Sequence, residues 1–432
     1  MSMLEATVTK NYESGEAVLA KHDFMDPETV QCPFHFYAAA RAVAPVYKLP
    51  KSPAPGTDVY LVTRYDVIQA VQRDWRTFSN RFGHLMGGRS RQDTEIAAIL
   101  AEGYPTAETL LTQDPPTQRN YRTLLTKSFS VARVEQMTSY ITQICDELIS
   151  KFIDKGECDF FADFAVPLPL YVVADLLGVP RDDIDKFKRW SDDGIANIGR
   201  MKGHDVALRS ARSSVEMQKY FAAIFEQRRL DPRDDIISDL AQAKYQNERP
   251  LTVSEALSLI LAVVVAGNET ARNAMAGGMV YIISEPGAQD RFAADPSLVP
   301  NAVEEILRLE APTKHMWRVV TTDTELGGVA VPAGSALLLS YDAANRDELK
   351  FPDGETCVFA RDNAAEHLSF GAGIHFCIGA LLARKEMTIA YQRLFARLKD
   401  IRLAKDHEPL RYLESILHRG FETLKLEFER RA

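Results

Sequence analysis

The sequence predicts a mainly helical protein with small β-sheets. Three observations carry that expectation. Helical patterning with few interruptions runs from about residue 114 to 245. A strongly apolar stretch from about Thr252 to Ser284 has the length of one long buried helix. The segments rich in β-branched residues are short, and most of them lie late in the chain.

Taken in order, residues 1 to about 30 carry no clear periodicity and are expected to be irregular. Asp58 to Arg64 (DVYLVTR) reads as a short strand. Asp114-Pro115-Pro116 predicts a helix start, because Asp can cap orphan N–H groups and Pro suits a first turn. The helical region that follows breaks at Pro167, Pro169, Gly178-Val179-Pro180 and Pro232. The long helix ends before Pro286, and another runs from about Asn301 to Leu309, stopped by Ala311-Pro312. Short strands are expected in WRVV, TELGGVAV and SALLLS. Irregular chain should then run from about Asn345 to Gly373, followed by a helix from about Cys377 to Arg397 and a strand near Leu424 to Phe428.

Composition excludes several classes. With 432 residues, 46% hydrophobic and 26% charged, the chain is ordinary globular. A formal charge of −9 argues against nucleic acid as a partner. The five cysteines, Cys32, Cys145, Cys158, Cys357 and Cys377, are odd in number and widely spaced, which argues against a disulfide framework or a zinc site. The first twenty residues lack a signal-peptide core, and the longest apolar run, Leu257 to Ala266 broken by Ser258, is too short to span a bilayer. The expectation is a cytoplasmic protein with no membrane anchor.

The most informative segment is FGAGIHFCIG, residues 370 to 379. Gly371 and Gly373 allow a tight turn around the sulfur of Cys377. A helix beginning just after the cysteine offers N–H groups and a dipole that favour a thiolate. The run resembles the haem-binding signature of the cytochrome P450 family, F-x-x-G-x-H/R-x-C-x-G, at Phe370, Gly373, His375, Cys377 and Gly379. The resemblance implies that Cys377 is the axial ligand of haem b (iron protoporphyrin IX). Phe370 would shield the sulfur, Gly379 would let the flat macrocycle approach, and His375 would reach one of its carboxylates.

Three further segments fit the same resemblance. Ala266-Gly267-Asn268-Glu269-Thr270 places polar residues inside an apolar helix, where Thr270 can bond the Ala266 carbonyl and loosen the helix. A kink that serves packing is the alternative reading. The segment resembles the family's A/G-G-x-D/E-T element, which implies proton delivery to dioxygen by Glu269 and Thr270. Ala262 and Ala266 share a face with Thr270 and would leave room for macrocycle and substrate. Glu305 and Arg308 are spaced i, i+3 and resemble the E-x-x-R element; Arg361 matches the Arg that completes its buried network. These three are assigned to folding around the haem. In DPPTQRNYR, Arg122 matches a propionate-binding Arg. Gln118 stands where many members carry His, and Arg318 in HMWRVV matches a second propionate Arg.

The resemblance extends from about residue 25 to the C-terminus. It implies one cytochrome P450 domain over 25–432, preceded by an irregular segment 1–24. The haem would lie between the long mid-chain helix and the helix after Cys377. The implied reaction is insertion of one atom of O2 into a mid-sized, mostly hydrophobic substrate. Electrons would come from NAD(P)H through a ferredoxin-type donor. That donor would dock on a basic cysteine-side surface built from Arg119, Arg122, Arg384 and Lys385. A monomer is expected. The family's substrate pocket falls on Ala262, Ala266, Thr313, Lys314, His315, Met316, Leu417 and His418, with Phe82 to Met86 as part of a roof. Lys314 or His315 could anchor a substrate carboxylate, or Lys314 could snorkel to solvent. Two alternatives stay open: a peroxide-driven peroxygenase on the same fold, and a non-catalytic haem sensor or carrier.

Overall fold

The computed structural model describes residues 14–86, 93–196 and 203–431. The helices that frame the site are α1 (Gly15–Lys21), α2 (Phe34–Val43), α3 (Tyr65–Arg73), α4 (Thr117–Thr126), α5 (Ile184–Ala196), α6 (His204–Leu230), α7 (Val253–Ser284), α8 (Val299–Glu310) and α9 (Ala380–Arg397). The main sheet uses β1 (Val46–Lys48), β2 (Val59–Val62), β3 (Phe78–Ser79), β4 (His315–Val320) and β5 (Ala336–Ser340), in the order β1-β2-β5-β4-β3. Strand β5 runs parallel to β2 and antiparallel to β4, with Leu337 opposite Arg318 and Ser340 opposite His315. All five residues of β5 are buried, which explains its continuous apolar run.

Helix α7 is the spine of the molecule. Thr252 opens it with a capping box: its hydroxyl accepts from the Glu255 amide at 3.2 Å, and the Glu255 carboxylate accepts from the Thr252 amide at 2.8 Å. Arg249 and Tyr121 also donate to Glu255 and help hold its carboxyl down at about 2. The helix packs against α5, α6, α8 and the helix Pro167–Leu176. By length and composition it could cross a bilayer, although its longest apolar run is short; half of its most apolar window is buried against those neighbours.

Several expectations need correction. Polar residues 267–270 do not interrupt α7, which stays helical from Val253 to Ser284. Thr270 Oγ1 donates to the Ala266 carbonyl at 2.8 Å, and a back-bond of this kind adds to the helical bond without displacing it. The N-terminal segment is not wholly irregular. Ser14 caps α1 by accepting from the Ala17 amide, and Leu19 packs against the apolar cluster around Phe24, Phe36 and Tyr37. Asp114 does not cap α4, which starts after Pro116. Its carboxylate accepts from Ser79 Oγ at 2.6 Å and the Asn80 amide at 2.9 Å, tying α4 to β3. A strand at Glu157–Asp159 sits inside the stretch expected to be helical. It joins Leu398–Leu403 and Lys425–Arg430 in a three-stranded sheet.

Candidate active site

The cysteine loop is a turn built on two left-handed glycines, Gly371 (φ 66°) and Gly373 (φ 67°). A Cβ on Gly373 would lie 2.5 Å from the Gln72 carbonyl oxygen, so helix α3 presses directly on the loop. The Cys377 amide donates to the Phe370 carbonyl at 2.9 Å and closes the turn. Gly379 and Ala380, at the start of α9, turn their N–H groups to the sulfur. Burial pushes the Cys377 thiol above its ordinary value. Those two N–H groups and the nearby Arg122 and Arg384 guanidiniums pull against it, which is how a helix start favours a thiolate.

Gly379 has an unremarkable φ of −87°. A Cβ there would meet nothing of the protein except Cys377 Sγ, at 4.0 Å. Neither backbone nor packing therefore demands glycine, and the position suits a flat group lying against the sulfur. Deep as the Cys377 sulfur lies, the residue keeps open surface, as do Ala266 and Phe376 (41% exposed). The Phe370 ring is half-buried beneath the Arg384 guanidinium, 4.6 Å from it.

Beside this loop lies a cationic group that is only partly compensated, by Asp114 and Tyr341 near Arg318 and by Cys377 near Arg122. Arg318 is 2% exposed and donates to the Trp317 carbonyl at 2.7 Å; Arg122 is half-buried. Among the described residues neither forms an ion pair. Burial, followed by the charges of Arg318 and Arg122, drives the His375 imidazole down to about 3. His375 Nε2 is buried without a hydrogen-bond partner. Two guanidiniums and an imidazole converging without a paired carboxylate fit a ligand that carries carboxylates.

On α7 the acid and the alcohol are adjacent but differently placed. The Glu269 side chain is 3% exposed, and its Oε2 lies 3.5 Å from His418 Nδ1. Its other oxygen, Oε1, has no hydrogen-bond partner. Thr270 is half-buried beside the accessible Ala266. Two contacts that the sequence reading missed clamp this segment to α5: Asn268 donates to Ser191 Oγ at 2.8 Å, and Arg272 pairs with Asp192 at 3.1 Å.

Glu305, Arg308 and Arg361 do come together. Arg308 binds both Glu305 oxygens, at 2.7 and 2.8 Å, and Arg361 Nε donates to Glu305 at 3.1 Å. The remaining Arg308 donors reach the carbonyls of Asn345, Gly354 and Thr356.

The cytochrome P450 family model matches residues 206–417. The chain is 34% identical over 402 residues to the 6-deoxyerythronolide B hydroxylase of Saccharopolyspora erythraea, covering 92% of this chain and 96% of that one. It is 33% identical over 420 residues to the vitamin D(3) 25-hydroxylase of Pseudonocardia autotrophica, covering 94% and 96%. The structure of cytochrome P450 CYP109Q5 from Chondromyces apiculatus superposes with a TM-score of 0.83 at 34% identity, covering 95% and 98%. The chain belongs to the cytochrome P450 family. It is a haem-dependent monooxygenase that uses haem b, O2 and electrons supplied from NAD(P)H through redox partners.

Within this P450 fold some sequence assignments move. Gln118 donates to the Ile374 carbonyl at 2.8 Å, so it braces the cysteine loop instead of reaching outward. Thr313 and His418 form a β-bridge. The neighbouring Lys314 and His315 both line a small space with Phe24, Thr29, Val30 and Tyr37. Leu417 packs with Phe24, Phe36 and Trp317, and Lys314 is 2% exposed. Lys314 therefore neither snorkels to solvent nor faces Ala262 and Ala266; burial pulls its ammonium down to about 8. His315 bonds Tyr37 Oη at 3.1 Å and the Ile416 carbonyl, which removes it as a substrate anchor. Phe82 is fully buried in the Leu417 cluster, and the Met86 side chain lies outside the described residues.

The basic cysteine-side surface is also smaller than the sequence implied. Arg384 pairs with Glu304 through both oxygens, and Lys385 pairs with Glu135. Arg119 and Arg73 stay exposed, with no ion pair among the described residues.

Proposed function

We propose that this P450 hydroxylates a mid-sized, largely hydrophobic ring system, with Cys377 as axial thiolate and the Glu269–Thr270 pair as the proton-delivering element. The observation that carries the reading is the pairing of one accessible, helix-capped cysteine with an anion-seeking cationic group beside it. Haem held in this way activates O2, and thiolate ligation favours cleavage of the O–O bond. Arg122, Arg318 and His375 would hold the two propionates and so fix the orientation of the macrocycle. Because Thr270 gives its proton to the Ala266 carbonyl, its oxygen can accept a hydrogen bond from the reaction chamber. Ala262 and Ala266 keep that chamber wide, and Thr313 and Met316 border it with short and adaptable side chains. Relatives named for action on a steroid, on 6-deoxyerythronolide B and on vitamin D(3) support a bulky apolar substrate. A cytoplasmic, monomeric enzyme served by a ferredoxin that approaches Arg73 and Arg119 completes the proposal.

The test combines spectra and coupling. Cys377→Ala should abolish the red-shifted Soret band of the reduced carbon monoxide adduct, whereas Cys357→Ala should keep it. Thr270→Ala should retain haem but send reducing equivalents into peroxide. A Cys377→Ala protein with the parental spectrum would sink the ligand assignment. Unchanged coupling in Thr270→Ala would make Thr270 structural. A panel of steroids and macrolactones, with neutral and carboxylate forms of each, scored by the spectral shift on binding, tests the substrate class.

A further inference from the structure

We propose that His418 reloads Glu269 with protons during turnover. The inference rests on the reading of Glu269 as the acid of the proton-delivering pair.

The overall stoichiometry sets the problem. Inserting one oxygen atom into R–H with O2 and two electrons consumes two protons and yields R–OH and water. A carboxyl group that gives a proton inward must recover one from solvent in every cycle. Glu269 cannot recover it directly, because its side chain is 3% exposed. Its neighbours on α7 cannot supply it either. The Asn268 amide does not ionise and is committed to Ser191. Arg272 stays cationic and is committed to Asp192. The Thr270 hydroxyl is committed to the Ala266 carbonyl.

His418 comes from a different element. Among the described residues it is the basic side chain within 4.0 Å of Glu269, with Nδ1 3.5 Å from Oε2, a gap that a small movement closes. Its side chain keeps 16% exposure against 3% for Glu269, so water reaches the ring where it does not reach the acid. The loop that carries it is fixed independently of Glu269. The His418 amide donates to Ser415 Oγ at 3.1 Å, Thr313 bridges it, and the Arg419 amide donates to the Pro312 carbonyl at 2.9 Å. The next charged groups, Arg419 and Glu310, pair with each other at 3.5 Å.

The step balances without electrons. The His418 imidazolium gives its Nδ1 proton to the Glu269 carboxylate at Oε2. The ring regains a proton from solvent and returns to its starting form by rotation or tautomer exchange. One solvent proton enters for each proton that Glu269 passes on.

The experiment uses haem-loaded protein with a ferredoxin, its reductase and NADPH, without added substrate, and measures how reduced oxygen divides between peroxide and water. Two variants are compared, His418→Phe and His418→Gln, each first checked for the parental carbon monoxide spectrum. Both should shift the division toward peroxide and slow water formation by about tenfold or more, the lower end of what a general acid contributes. The solvent deuterium isotope effect on water formation should rise in both. A second readout is independent of turnover: the Glu269 carboxyl band, isolated as the infrared difference between parent and Glu269→Gln, should shift in His418→Phe. Parental division in either His418 variant overturns the proposal. For His418→Gln that result would make His418 a hydrogen-bonding post and not a proton carrier. An unmoved Glu269 band overturns it as well. If Glu269→Gln itself divides oxygen as the parent does, the underlying reading of Glu269 fails; if Glu269→Gln departs and the His418 variants do not, only this proposal falls.

Discussion

Two buried charge clusters stand in the P450 fold, and they differ in one respect. Around Glu305, every charge is answered from within the chain. Arg308 and Glu305 are both fully buried, and Arg361 and the Val358 amide complete the carboxylate's bonds. Burial raises the Glu305 carboxyl, but Arg308 and the other donors outweigh it and hold the group below its ordinary value. Around Arg318 the answer is partial: the Trp317 carbonyl, Tyr341 and the more distant Asp114 offset some of its charge. Burial pulls Arg318, Arg122 and His375 down together, and no carboxylate pairs with either Arg among the described residues. A cluster complete in itself is part of the fold. A convergent cluster left incomplete, next to an accessible cysteine, is a binding site.

The largest effect should come from breaking the complete cluster. Glu305→Gln leaves Arg308 buried and short of its carboxylate, which costs about 3–5 kcal/mol. Denaturant unfolding of the protein without haem should reveal that loss. A loss below about 1 kcal/mol would remove the distinction between the clusters.

The incomplete cluster should behave in the opposite way. Arg318→Leu and Arg122→Leu remove charges that lack a carboxylate partner, so the haem-free protein should be as stable as the parent or more so. Haem should leave each variant about 10–100-fold faster, the worth of one charge-assisted hydrogen bond. Transfer of haem to a scavenger protein measures it. A variant that unfolds more easily yet keeps its haem would place that Arg in the structural class.

What the sequence made legible was local. The cysteine loop, the Thr252–Glu255 box and the Glu305–Arg308 pair each lie within a few residues, so spacing fixes their geometry. What stayed hidden depends on distant partners. Arg384 reads as surface charge until Glu304, 80 residues away, neutralises it, and Lys385 until Glu135, 250 residues away, does the same. Lys314, His315 and Leu417 read as pocket-facing until Phe24, Phe36 and Tyr37, the last 278 residues before His315, enclose them. The clamps from Asn268 and Arg272 did leave a signal, since an Arg inside an apolar helix needs a partner, but the sequence could not name Ser191 or Asp192. Helix α1 was too short for periodicity to reveal, and its stability comes from packing on α2.

The smallest predicted effect on ligand binding sharpens what counts as a site. Lys314 is also buried, yet it stands in a small enclosed space with Phe24, Thr29, Val30 and Tyr37, away from Cys377. Burial lowers its ammonium to about 8, with Asp342 pulling the other way and Arg419 adding to the burial effect. In the unfolded chain the same group titrates near 10.5. Between about 8 and 10.5 the unfolded state therefore binds more protons than the folded one, and stability rises with pH across that window. Below about 8 both states are protonated and the full cost of the buried charge is present. Lys314→Met should thus stabilise the protein at pH 7 by up to about 3 kcal/mol and flatten the alkaline rise. Substrate spectra should not move, because the side chain does not face Ala266. Unfolding curves at pH 7 and pH 10, run beside a titration with a carboxylate ligand, check both halves. If Lys314→Met weakens the carboxylate ligand selectively, an unpaired buried cation marks a site here even without converging partners. If only the stability changes, convergence and access are what separate the haem cradle from an isolated buried charge.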